Sequence, residues 1–127
     1  MKNILGVFSL VAISGAAQAG VWQPQNGDSL RGDIMAYSHA NHHTTSGAGE
    51  YLQGMHAVGY IQGVRDGLVS SGTVCHNEEL EKLDGNIEDA VMSYIIGAMS
   101  QNPRLLTESA YMVTADAWAK ILPCPKK

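Results

Sequence analysis

Apolar side chains recur at spacings of three and four along several stretches of the chain, and each stretch reads as a helix with one buried face. The first runs from Asp28 or Ser29, either of which can cap it, to about Tyr37, with Leu30, Ile34 and Tyr37 sharing a face. The longest covers about Glu50 to Ser70 and stops at Ser71-Gly72. A third carries Ile87, Val91, Tyr94, Ile95, Ala98 and Met99 on one side; Asn86 can cap it, and Glu88 and Asp89 suit the positive end of its dipole. The last follows Asn102-Pro103, a cap with proline at the first helical position. It reaches about Leu122, with Leu106, Ala110, Val113, Ala117 and Ile121 inward. No period-two run of useful length and no internal repeat is present. The expected fold class is therefore all-α, a small bundle of about four to five helices.

Polar stretches separate these elements. Val21 to Gly27 contains a proline and a turn-forming Asn-Gly, and reads as an irregular lead-in. Ser38 to Gly49 is rich in Ser, Thr, Gly and His, and reads mostly as a loop. His76 to Gly85 carries Glu78, Glu79, Glu81 and Asp84 with Leu80 and Leu83 as its large apolar groups; a short surface helix and a projecting loop are both open to it.

The long central helix has an unusual face. Gly59, Gly63 and Gly67 stand four apart on one side, beside Tyr60, Ile61, Val64 and Leu68. Each glycine costs roughly 1 kcal/mol in a helix interior, so three in register suggest that another backbone packs closely there. On that reading Gly63→Leu overpacks a contact.

The N-terminus adds a compartment to the picture. Lys2, an apolar run from Ile4 to Ile13 and a closing Ala17-Gln18-Ala19 have the order of a secretory signal peptide, cleaved after Ala19. The run is too short for a permanent span, and Gly20 and Val21 stand where a lipoprotein would need cysteine. The expected organisation is thus a signal peptide at 1–19 and a single exported, unanchored domain at 20–127. Losing Lys2 takes the net charge from −4 to −5, which argues against nucleic acid and anionic membrane and suits a basic partner. Cys75 and Cys124 both lie in the exported part. An even pair there is most simply a disulfide, the alternative being two buried thiols.

Candidate chemistry is sparse. His39, His42 and His43 are the one cluster suited to a metal, but its Gly-rich flanks and lack of a matching carboxylate favour a solvated loop, and neither metal nor cofactor is expected. Arg65 and Asp66 are adjacent on a helix and point apart, so they are not an acid/base pair; a structural role suits Asp66. With no nucleophile elbow, phosphate loop or paired carboxylates, no enzyme is read here. Tyr51, Tyr60, Tyr94, Tyr111 and Trp118 fill the core by default, with one or two free to cover a dimer face.

Gly59-Tyr60-Ile61, Gly63, Asp66-Gly67, Cys75, Asn102-Pro103 and Leu122-Pro123-Cys124 together resemble the Rap/Tai family of type VI secretion amidase immunity proteins, over about Leu30 to Cys124. The resemblance implies a periplasmic, homodimeric helical bundle that blocks the active-site groove of a cognate peptidoglycan amidase effector. It makes Gly59, Tyr60, Ile61, Gly63, Asp66, Gly67, Pro103 and Pro123 scaffold positions and supports a Cys75 to Cys124 staple. The family commonly has a second cysteine pair, and both partners are missing here: neither Ile34 to Tyr37 nor Ala57 supplies one. The acidic residues Glu78, Glu79, Glu81 and Asp84 are the expected meeting point for a basic toxin. A different class, an acid-stress chaperone, shares the small exported helical build, and its His and acidic content suits a low-pH switch.

Overall fold

The computed structural model describes residues 23–82 and 87–127. The signal segment, Asp84 and the cap expected at Asn86 lie outside the described residues. Helix α1 spans Gly27–Asn41, α2 Ala48–Ser70, α3 Glu78–Glu81, α4 Ile87–Gln101 and α5 Ala110–Ile121, with a 3-10 turn at Pro103–Leu106 before α5. Among the described residues there is no strand, only an isolated antiparallel bridge between Asn26 and Ser109.

The helix starts show where local chemistry won. Asn26, expected in an irregular lead-in, is the cap of α1. Its side chain accepts from Ser29 N–H at 2.9 Å while Ser29 Oγ accepts from Asn26 N–H at 3.1 Å, a reciprocal pair that satisfies two donors at once. At its other end α1 runs a further turn beyond Tyr37, taking Ser38 to Asn41 out of the expected loop. That turn has little apolar periodicity of its own, and it is tied to α2 by the pairing of His39 with Glu50. The central helix matches its expected span within two residues and ends at Ser71, where Gly72 adopts φ 74°. The last segment is broken where one helix was expected. Pro103 opens a 3-10 turn under the Asn102 side chain, and α5 begins only at Ala110.

Gly54, Ala57, Ile61, Val64 and Leu68 form the buried seam of α2. Ile61, Val64 and Leu68 join Leu30 and Ile34 of α1, Val91 and Ile95 of α4, and Val113 and Trp118 of α5 in one core. Trp118 is fully buried at its centre and donates from Nε1 to the Ile61 carbonyl at 2.9 Å. The expected tyrosine core is corrected: Tyr60 is half-buried, and Tyr51, Tyr94 and Tyr111 are exposed.

The glycine face is corrected too. A Cβ added at Gly59, Gly63 or Gly67 would meet nothing within 4 Å, so no helix among the described residues packs on that strip. The larger apolar side chains beside the strip set the rotation of α2 and turn the glycines outward. Close approach happens instead at Gly54, where a Cβ would stand 2.6 Å from both Cα and N of Tyr37 on α1. Gly54→Ala should therefore lower the unfolding free energy by about 2 kcal/mol through overpacking, whereas Gly63→Ala should raise it by about 1 kcal/mol through helix propensity. Urea unfolding of the two variants checks this pair, and a destabilised Gly63→Ala monomer would restore the packed reading.

Cys75 and Cys124 are bonded, with Cα atoms 4.8 Å apart, and Cys75 N–H donates to the Leu122 carbonyl at 3.2 Å. The staple ties the strand of chain leaving α2 to the tail leaving α5, over the buried Val74 and Leu122. No helix among the described residues is long and apolar enough to cross a membrane.

Candidate partner interface

The residues expected as scaffold fall into two groups. Ile61 is fully buried in the core, and Tyr60 is half-buried with its phenol pushed above its ordinary pKa by burial and by nearby Tyr111. Gly59, Gly63 and Gly67 line the floor of an open groove of about 290 Å³ walled by Tyr60 and Tyr111. Pro103 and Pro123 are exposed at the starts of the 3-10 turn and of the tail.

Asp66 does not have the structural role expected of it. Its side chain is 71% exposed, and its ion pair among the described residues is with the Nε of adjacent Arg65, at 3.4 Å. Arg65 is the structural member of the pair. Its Nη1 donates to Glu88 Oε1 at 3.1 Å, its guanidinium lies 5.5 Å from the Trp118 ring centroid, and Glu88 is only 5% exposed. One cation thereby links α2, α4 and α5, shielding the carboxylate at the start of α4 and capping the central aromatic. The local sequence offered no sign of this, because both partners of Arg65 lie far along the chain.

The acidic segment forms α3, a single turn begun by Asn77, whose side chain accepts from Glu79 N–H at 3.1 Å and Leu80 N–H at 3.2 Å. Lys82 donates to Glu78 at 3.2 Å and His76 faces Glu81 at 2.9 Å, both pairs near water. Glu79 projects freely from the same turn. The described part of the segment begins next to the disulfide at Cys75, and Glu78 and Glu79 are exposed on it.

The histidines divide. His39 pairs through Nδ1 with Glu50 across the α1–α2 connection, His42 donates from Nδ1 to the Ser38 carbonyl at 2.7 Å, and His43 turns the chain with φ 55°. They do not converge, and no group of three or more metal-ligating side chains occurs among the described residues. Glu50 is the better-defined feature. Its carboxylate accepts from the Ser46 hydroxyl, from Ser46 N–H at 2.7 Å and from His39, which hold its pKa down at about 2. A carboxyl lowered in the folded state stabilises above its unfolded value, roughly 4.3, and loses that contribution as pH falls toward 2. The difference in thermal midpoint between wild type and Glu50→Gln should accordingly shrink across that window. A difference that stays constant from pH 7 to 2 would show the carboxylate to be uncoupled from folding.

Comparison with curated proteins and with solved structures finds no match to the chain. A family model does match, covering residues 26–124 from the cap of α1 to the second disulfide cysteine, and by it the chain belongs to the family of Rap1a immunity proteins.

Proposed function

We propose that the chain is a periplasmic inhibitor that binds a peptidoglycan amidase delivered by a type VI secretion system and so protects the cell that makes it. Membership of the Rap1a immunity proteins is the observation that carries this reading, since such a protein acts by binding a toxic effector. The disulfide and the apolar leader support export. Activity as an inhibitor needs a surface and no catalytic centre.

The acidic turn α3 is the proposed contact with a basic toxin. Anchoring at Cys75 lowers the entropy lost when such a projecting segment docks. The open glycine groove of α2, with Tyr60 and Tyr111 beside it, is the proposed face for a second copy, since a flat strip lets two helices approach closely. Expression of the amidase in the periplasm should kill a sensitive host, and co-expression of this chain should restore growth. Charge stripping at Glu78, Glu79 and Glu81 to Gln should slow association and flatten its salt dependence while leaving the helical content intact. Unrescued killing by an amidase encoded beside this gene would remove the immunity reading.

A further inference from the structure

Helices α1 and α4 leave between them an open groove of about 550 Å³ that reaches the C-terminal end of α1 at Asn41 and His42. Met35, Met92 and Ile96 give it apolar walls, and Asn41, Ser93 and Asp89 supply polar groups along it. Asp89 is the discordant member. Among the described residues one of its carboxylate oxygens, Oδ1, is closed off from solvent without a hydrogen-bond partner, and Asp89 forms no ion pair there. Tyr37 and His42 also line the groove, and His42 has its Nδ1 committed to the Ser38 carbonyl at 2.7 Å.

A buried acceptor left without a donor is costly, and buried polar atoms in folded proteins nearly always have a partner. Asp89 as a whole is only half-buried and lines the groove, so a donor arriving there meets a carboxylate that no cation of the described residues balances. That donor must carry positive charge to match the carboxylate and an apolar stem to match the walls. We infer that the α1–α4 groove receives a basic side chain, lysine or arginine, of a protein partner, its stem on Met35, Met92 and Ile96 and its cation on Asp89. Such a contact adds a charge-assisted hydrogen bond to apolar burial. The identity of the partner as the effector rests on the function proposed above; the chemistry of the groove does not.

The test uses n-butylammonium and n-butanol as probes, with amide chemical shifts of the 15N-labelled folded protein as readout. Butylammonium should shift Asn41, Asp89 and Ser93 together and saturably, about tenfold more tightly than butanol, because only the cation meets the carboxylate. Asp89→Asn removes the charge. Gly97→Leu places a side chain on the groove lining, at a position where an added Cβ meets nothing within 4 Å. Both variants should lose the response. Equal shifts with butanol, or shifts centred on Glu78 to Glu81 instead, overturn the inference. In the amidase complex each variant should weaken affinity about tenfold, and unchanged affinity would take the groove out of that interface. The probe titration involves no amidase, so absence of amidase binding by wild type contradicts the proposed function alone.

Discussion

Removing the Cys75–Cys124 bond, by Cys75→Ser with Cys124→Ser, should lower the free energy of unfolding by about 4 kcal/mol. The bond spans 49 residues of sequence, and opening that loop returns entropy to the unfolded chain. A domain of this size has on the order of 5 to 15 kcal/mol in total, so the loss is a large share of its stability. The folded state also suffers locally, because the staple covers Val74 and Leu122 and brings Cys75 N–H onto the Leu122 carbonyl. Urea unfolding of the double variant, beside oxidised and reduced wild type, measures the effect. A midpoint unmoved by reduction would mean that the helices carry the domain without their staple.

Arg65→Ala should cost about 3 kcal/mol, because it leaves the Glu88 carboxylate buried without its cation. It also uncovers one face of Trp118, so a red shift in tryptophan emission should accompany the loss. Glu88→Gln alone should be milder. The double variant should lose less than the two single losses added together, since removing one partner cancels the reason the other was needed. Strict additivity would show that Arg65 and Glu88 act independently.

The sequence was most informative where a helix is decided by its own periodicity. The bounds of α2, its stop at Gly72 and the inward residues Leu30, Ile34, Val91, Ile95 and Val113 follow from spacing alone. It was least informative where a distant partner decides. The extra turn of α1 is tied to α2 by His39 and Glu50, and Arg65 is assigned by Glu88 and Trp118 rather than by Asp66. The glycines illustrate the same limit. Gly59, Gly63 and Gly67 have the regular spacing that suggests contact, yet Gly54, which has no such pattern, is where two backbones meet. Periodicity reports which residues share a face; the volume of their neighbours decides whether that face is covered. For the proposed partner surface, the acidic run was legible but its pairing with His76 and Lys82 was not, because that depends on where the turn of α3 places them.

The most direct measurement mixes the oxidised protein, residues 20–127, with a purified type VI secretion amidase of the class proposed as its effector. Isothermal titration then gives affinity and stoichiometry, and peptidoglycan hydrolysis is followed in the same samples. A saturable complex with a Kd of roughly nanomolar order, and hydrolysis that falls to background at the stoichiometric point, is the expected result. An amidase that cleaves at full rate in excess of this protein, with no heat of binding, would contradict the account.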